Sequence, residues 1–258
     1  MTFTIDLGGR RALVTGSGQG VGRGIARYLA RAGAVVAVND VVAERAQQVV
    51  DEIKAEGGQA DVSTFDVTDW RGVEAAVDDL GQVDILVNNA GNAGVQGWDD
   101  QVPFVETQPE QWQRFFNVNL FGVMHCTRAV LPSMIAGKEG RIVTIVSDAG
   151  RYGDSNLAPY AAAKAGAAGF SRSVAREVGR HGITVNCVAL GTINTPTTVR
   201  PGVTPDPELT KRQLAQYIVR RRGEPDDVAG MVTYLVSPMA SWVTGQTYPV
   251  NGGYTLSL

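Results

Sequence analysis

The sequence predicts an α/β fold, a doubly wound parallel sheet of about seven strands with helices on both faces. Three observations lead there. Short apolar runs rich in β-branched residues alternate with longer amphipathic segments along the whole chain, the pattern of βαβ units whose strands are buried on both sides. The first run feeds a glycine-rich turn and then a helical pattern. No linker-like stretch and no internal repeat divides the 258 residues, so one domain over 1–258 is the simplest organisation.

In order, strands are expected at 11–15, 35–39, 62–65, 83–88, 141–147, 183–188 and 246–250. Helical patterns lie between them at 20–32, 41–56, 70–80, 109–136, 159–180, 206–219 and 225–236, each long enough for a right-handed crossover. Ala12-Leu13-Val14 reads as the first buried strand, followed by the glycine turn and the helix from Arg23 to Ala32. Gly57-Gly58 stops the second helix, and His181-Gly182 stops the fifth. Pro109, Pro159 and Pro225 stand where a first helical turn tolerates a missing N–H. From Gly191 to about Ala215 the alternation breaks, with Pro196, Pro201, Pro205 and Pro207 crowded beside Thr192, Thr195, Thr197 and Thr198; a long irregular excursion of this kind predicts a substrate lid over 191–215.

Composition excludes several classes. With 23 Lys+Arg against 26 Asp+Glu there is no basic field for nucleic acid or an anionic membrane. Hydrophobic residues at 44% and charged residues at 19% describe a folded soluble chain rather than a disordered one. Cys126 and Cys187 lie far apart and form no Cys-x-x-Cys pair, so neither a disulfide framework nor a zinc site is expected, and the reducing cytoplasm fits best. The N-terminus has no apolar leader, and no window approaches ~18 apolar residues.

The turn Thr15-Gly16-Ser17-Gly18-Gln19-Gly20-Val21-Gly22 places bare backbone N–H groups at a helix N-terminus, where a phosphate can sit. Its spacing is neither Gly-x-Gly-x-x-Gly nor the triphosphatase loop, which needs a Lys after the glycines. Such a turn is also an ordinary tight strand-to-helix connection. About 20 residues on, the second strand ends in Asp40, an acid placed to accept the ribose diol and to repel a 2′-phosphate, which favours NAD over NADP.

Thr15-Gly16-x-x-x-Gly20-x-Gly22 resembles the cofactor turn of the short-chain dehydrogenase/reductase family. Asn88-Asn89-Ala90-Gly91, Asn119 in Asn-Val-Asn-Leu, Tyr160-Ala-Ala-Ala-Lys164 and Val250-Asn251-Gly252-Gly253 resemble further family motifs, in the family's order. The resemblance implies a Rossmann-like fold and a dinucleotide held by Gly16, Gln19, Gly20, Val21, Gly22, Asp40, Asp66, Val67, Asn89, Ala90, Gly91, Ile193 and Thr195 with Tyr160 and Lys164.

Tyr160 and Lys164, four apart, share one helix face, so an ammonium beside the phenol is expected to lower its pKa from near ~10 toward working range. Ser147 ends a strand 13 residues before the tyrosine, at the carboxyl edge where binding crevices form. By resemblance, Ser147 polarises the substrate oxygen, Tyr160 exchanges its proton, Lys164 holds the nicotinamide ribose, and Asn119 anchors a water that links Lys164 to solvent. Only His125 and His181 are present and there is no Gly-x-Ser-x-Gly elbow, which argues against a Ser/His/acid hydrolase; clustered metal ligands are lacking too. His125 and Cys126 read as packing residues.

Two departures stand out. The family's Pro-Gly after the sixth strand is Leu190-Gly191 here, and Asn92 to Glu106, with Gly94, Gly97, Trp98, Asp99, Asp100 and Pro103, is a longer polar insert that either selects substrate or is a plain surface loop. Ser147-Asp148-Ala149-Gly150-Arg151 resembles a stretch in members that oxidise cyclic hydroxyacyl-CoA thioesters. Arg151, Arg200, Lys211, Arg212 and Arg220-Arg221-Arg222 are either contacts for CoA phosphates or a solvated basic face. The expected activity is NAD-dependent hydride transfer to or from a secondary alcohol or ketone: a cyclic alcohol, a steroid-like compound or a hydroxyacyl-CoA. A silent dinucleotide sensor is the rival, and a sugar-nucleotide epimerase would need a larger C-terminal region than follows Gly253. The small residues of the helix from Pro159 and the family's pairing of helices together imply a homotetramer.

Overall fold

The computed structural model describes residues 4–92, 102–196, 198 and 207–256. Seven strands form one parallel sheet: β1 (Arg11–Val14), β2 (Val35–Asn39), β3 (Gln59–Ser63), β4 (Ile85–Asn88), β5 (Gly140–Ser147), β6 (Ile183–Leu190) and β7 (Thr247–Val250). Their order is β3-β2-β1-β4-β5-β6-β7, so the chain winds outward from β1, returns, and winds outward on the other side. The reversal falls between β1 and β4, where Leu13 stands opposite Leu86. Crevices open at the carboxyl ends of such strands.

Helices α1 (Gly20–Arg31), α2 (Ala43–Ala55) and α9 (Pro225–Val236) cover one face. Ile25, Leu29, Val49, Ile53, Val232 and Leu235 pack there against β1, β2 and β5. The other face is covered by α3 (Trp70–Leu80), α5 (Gly122–Gly137) and α7 (Ala158–Val178), through Val73, Val77, Val130, Met134, Val174 and Val178. Fully burying one such side chain contributes about 1.5–3 kcal/mol. Strands walled in on both sides explain the continuous apolar runs of β4, β5 and β6, where alternation would mark a one-sided sheet.

Four expectations need correction. The third strand is Gln59–Ser63, not 62–65: as an edge strand it buries only Ala60 and Ser63, and the exposed Gln59, Asp61 and Val62 hide it from an apolar-run search. The helix expected over 109–136 is α4 (Pro109–Phe116) and α5 separated by a π turn, Asn117–Phe121. The run Pro109–Gly137 contains an 18-residue window of mean hydropathy 1.2, long and apolar enough to cross a membrane by length and composition alone. It passes that test while carrying Asn117 and Asn119, and in the fold Val123, Cys126, Val130 and Met134 are buried as in a core helix. Finally, the helix in 206–219 is α8 (Pro207–Ala215), beyond which Gln216 and Tyr217 turn back toward the sheet.

Stops and starts follow local chemistry. Pro109 and Pro225 occupy the first position of α4 and α9, while Pro159 is second in α7, after Ala158. Gly182 closes the turn after α7 with φ +73°, and Asp69 caps α3 by accepting from the Arg71 amide. Of the 92–106 insert, only Asn92 and 102–106 are described, including a 3-10 turn Phe104–Glu106; Gly94, Gly97, Trp98, Asp99 and Asp100 lie outside the described residues. So do Arg200, Pro201 and Pro205.

Candidate active site

The glycine turn leaves β1 and enters α1 beneath the end of β4. Gly16 has φ +60°, and a Cβ there would stand 2.8 Å from the Ala90 Cα; at Gly22 it would meet the Asn89 amide nitrogen at 2.4 Å. These positions are therefore closed to any side chain. Asn89 holds the turn in place, its Nδ2 donating to the carbonyls of Thr15 and Gly16, each at 2.9 Å. The Gln19 side chain forms no cap on α1, so the first-turn amides keep their donors toward the cleft.

That cleft encloses about 410 Å³ and brings together Gly16, Gln19, Gly20, Val21, Gly22, Asp40, Asp66, Val67, Asn89, Ala90, Gly91 and Thr195. Asp40 is nearly buried, 6% exposed; its Oδ1 accepts from the Val42 amide at 3.0 Å, and its Oδ2 faces Gly18. The Asp66 Oδ1 accepts from the Thr68 amide at 2.8 Å. This donor set suits a dinucleotide: bare helix-end amides for the pyrophosphate and a carboxylate with an uncommitted oxygen for a ribose diol.

A second cleft, of about 670 Å³, adjoins the first and shares Val21, Asn89, Gly91, Asn92 and Thr195 with it. Ser147, Tyr160, Lys164 and Ile193 line it. Ser147 ends β5 and accepts from the Ala149 amide at 3.2 Å. Burial pushes the Tyr160 phenol up, and its hydrogen bond with Ser147 pulls it back down. Lys164, 5% exposed, is pushed down to about 8 by burial and donates to the Ile145 carbonyl at 2.9 Å. Its Nζ stands 5.9 Å from the centre of the Tyr160 ring. The expected lowering of Tyr160 is thus not found: burial outweighs the pull of Ser147, the Asp154 charge adds to the rise, and the desolvated, carbonyl-bound ammonium does not offset them.

Asn119 is fully buried in the π turn. Its Nδ2 donates to the carbonyls of Phe115 and Asn92, both at 2.9 Å, and its Oδ1 accepts from the Asn92 amide at 3.2 Å. The side chain thus takes up a carbonyl near the break in the helical ladder, and it reaches the cleft beside Gly91: a Cβ on Gly91 would lie 2.9 Å from Asn119 Oδ1 and 3.1 Å from Lys164 Nζ. All four expected catalytic positions converge here. His125 packs against Trp70 with its Nδ1 2.9 Å from the Val67 carbonyl, and both cysteines are buried and unpaired, burial pushing Cys126 up to about 12. No metal-ligating cluster exists among the described residues.

A family profile described as enoyl-(acyl carrier protein) reductase matches residues 16–255. The chain belongs to the short-chain dehydrogenase/reductase family. It is 39% identical to the 7alpha-hydroxysteroid dehydrogenase of Escherichia coli (strain K12), over 96% of this chain and 95% of that one. It superposes with a TM-score of 0.89, at 38% identity and 98% coverage of both chains, on a 7 alpha-hydroxysteroid dehydrogenase complexed with NADH and 7-oxo glycochenodeoxycholic acid. A gluconate 5-dehydrogenase from Burkholderia cenocepacia J2315, in complex with NADP and tartrate, matches with a TM-score of 0.89 at 34% identity and 98% coverage of both chains. Short-chain dehydrogenases/reductases are nicotinamide-dependent oxidoreductases of alcohols and ketones, and this chain is one of them.

The sequence left much of the larger cleft's wall unread. Tyr217 and Tyr254 face each other with ring centres 5.2 Å apart, and the Tyr254 hydroxyl donates to Asp154 at 3.2 Å. Tyr217 donates to the Thr192 hydroxyl at 2.9 Å, fixing the loop after β6 where Leu190 replaces the family's proline. That loop is also pinned by Thr198, whose hydroxyl donates to the Ile193 carbonyl at 2.7 Å and accepts from the Thr195 amide at 2.8 Å. A lone tyrosine beyond two glycines carries no local pattern that marks it as a cavity wall.

Proposed function

We propose that this short-chain dehydrogenase/reductase transfers a hydride between NAD and a secondary alcohol or its ketone, with Tyr160 as acid/base at the substrate oxygen. The observation carrying this reading is the convergence of Ser147 and Tyr160 on the wall of the larger cleft, where it adjoins the glycine-turn cleft and next to a buried lysine. Ser147 holds the substrate oxygen against the phenol. Tyr160 gives up its proton in reduction and takes one in oxidation. Lys164, which burial holds at about 8, holds a ribose hydroxyl and passes the proton on, and a water between Lys164 Nζ and Asn119 Oδ1, both beside Gly91, completes the route to solvent. The nicotinamide, when bound, supplies or receives the hydride.

Asp40 supports NAD over NADP. Arg45 lines the same cleft, but Asp40 is buried and Arg45 exposed, so the carboxylate acts at lower dielectric on a 2′-phosphate. The larger cleft has room for a cyclic alcohol, a steroid-like compound or a hydroxyacyl thioester, with residues 191–215 as its lid: Gln213 of α8 lines the cleft wall. Two buried thiols suit a reducing cytoplasm. The small-residue face of α7, together with exposed Phe121 and Met124 at the start of α5, supports a homotetramer.

NADH absorbance with purified protein, NAD or NADP, and a panel of cyclic, steroid and hydroxyacyl substrates tests the reading. Turnover lost in Tyr160→Phe supports it. Tight NAD binding without turnover across the panel replaces it with a dinucleotide sensor.

A further inference from the structure

The basic residues around the larger cleft are not equivalent. Arg151 pairs with Asp148 at 2.9 Å, Arg221 with Asp227 at 2.6 Å, and Arg220 donates to the Ala215 carbonyl at 2.5 Å. Arg222 is different. It lines the cleft that Ser147 and Tyr160 line, it forms no ion pair among the described residues, and its guanidinium makes a single hydrogen bond there, Nη2 to Gln213 Oε1 at 2.6 Å. Its Nε is buried with no partner.

A buried N–H left unpaired costs free energy and calls for an explanation. Arg222 is also held firmly. Gly223 donates to the Thr192 carbonyl at 3.0 Å and accepts from the Asn194 amide at 2.8 Å, so the strip carrying Arg222 runs parallel to the loop that lines both clefts. Gln213 fixes the far end of the side chain from α8. The guanidinium is thus preorganised between loop and lid helix, with Nε unspent and buried, Nη1 unspent and not buried, and no ion pair at its charge among the described residues. A cation with a free, reachable donor suits an oxyanion. Among the described residues two carboxylates line the cleft: Asp148 is engaged by Arg151, Asn251 and Thr255, and Asp154, in the connection between α6 (Ala149–Tyr152) and α7, accepts from Tyr254.

We propose that Arg222 is a specificity-determining residue that reads an anionic group, a carboxylate, on the substrate. This rests on the larger cleft being the substrate site of the proposed dehydrogenase. The class of substrate is then a hydroxy or oxo acid whose carboxylate lies across the cleft from the reacting carbon; a phosphate is the other source of the same oxyanion chemistry.

Calorimetric titration of the NAD-loaded protein with cholate against methyl cholate, and benzoate against methyl benzoate, tests the assignment without requiring turnover. At least one acid is expected to bind about tenfold or more tighter than its ester, about 1.4 kcal/mol. That preference should fall to near unity in Arg222→Gln, recover in part in Arg222→Lys, and persist in Arg212→Gln, an exposed arginine on the same lid helix. Free coenzyme A that displaces the acid from the wild type and not from Arg222→Gln keeps the oxyanion assignment and makes phosphate the source. Equal binding of acid and ester, no binding of either acid, or an acid preference that survives in Arg222→Gln overturns the proposal. Substrate turnover in the same samples reports on the dehydrogenase reading separately: acid binding through Arg222 with no turnover of any panel alcohol sinks that reading alone.

Discussion

Asp148 and Asn251, 103 residues apart, are joined by a 2.5 Å hydrogen bond from the asparagine Nδ2 to the carboxylate Oδ2. Thr255 donates to the same oxygen at 3.1 Å, and Arg151 takes the other at 2.9 Å. One end of this clasp follows Ser147 directly; the other lies three residues before Tyr254. It therefore ties the Ser147 end of β5 to the aromatic wall of the cleft. Asn251→Ala should cost about 1–3 kcal/mol of stability, since a buried charged acceptor loses a donor. KM should rise several-fold, with kcat changed less, because the wall and not the chemistry is loosened. Melting curves and steady-state kinetics check both.

Tyr160→Phe should lower kcat by about 10²- to 10⁴-fold, the range for loss of a general acid/base. Ser147→Ala should fall in the same direction, since it removes both the substrate-oxygen partner and the bond that pulls the phenol down. NAD affinity, measured by fluorescence, should hold in both. A Tyr160→Phe protein with normal turnover would rule out the mechanism.

Lys164 makes apo stability depend on pH. A free lysine titrates near ~10.4, while burial holds this one at about 8, so below pH 8 the fold carries a buried charge that the unfolded chain leaves in water. Stability should therefore climb between about pH 8 and pH 10.5, by up to about 3 kcal/mol, as the ammonium loses its proton. The climb should be absent from Lys164→Met, so the difference between the two melting curves at each pH isolates it.

Because the phenol of Tyr160 is raised by burial, alcohol oxidation, which needs the phenolate, should speed up toward alkaline pH, and ketone reduction should slow there. A pair of kcat/KM profiles measured in the two directions would expose a different base if both rose together.

Asp40→Ser should remove the buried carboxylate that faces the glycine turn, raising kcat/KM with NADP relative to NAD by about tenfold or more. An unchanged ratio would mean that Arg45, rather than Asp40, sets the choice.

Five of the seven strands were legible because burial on both faces writes itself as an apolar run, as in Ile85-Leu86-Val87, while β7, half-buried at the other edge, was found from its β-prone Thr247-Tyr248 and Val250. The same logic misplaced β3, the edge strand whose exposed Gln59 and Asp61 look like a loop. The candidate catalytic positions were legible for another reason: Tyr160 and Lys164 are four apart on one helix and Ser147 ends a strand, and together with Asn119 they match motifs of the family in the family's order. Arg222, Tyr217 and Tyr254 carry no such spacing. Each reaches the cleft from a different stretch of chain, and only the packing of α8, the β6 loop and the C-terminal segment brings them together. The π turn at Asn117–Phe121 was invisible too, since one extra residue in a helical turn leaves the apolar periodicity on either side intact.

The strand order has a consequence for how the chain reaches this state. Every neighbouring pair in the sheet is parallel, and β1 meets β4 across some seventy intervening residues, as in the 2.8 Å bond from the Arg11 amide to Asp84. No tight hairpin is available to seed the sheet. Loop-closure entropy must be spent before the central pairing returns anything, so the search for the native arrangement is slow and the half-made sheet offers open edges. A ribosome releasing the first eighty residues has delivered β1, β2 and β3 without the strand that locks them. Assembly waits for β4 and β5, and the polar edge of β3 is then what keeps the early half from pairing with the wrong chain.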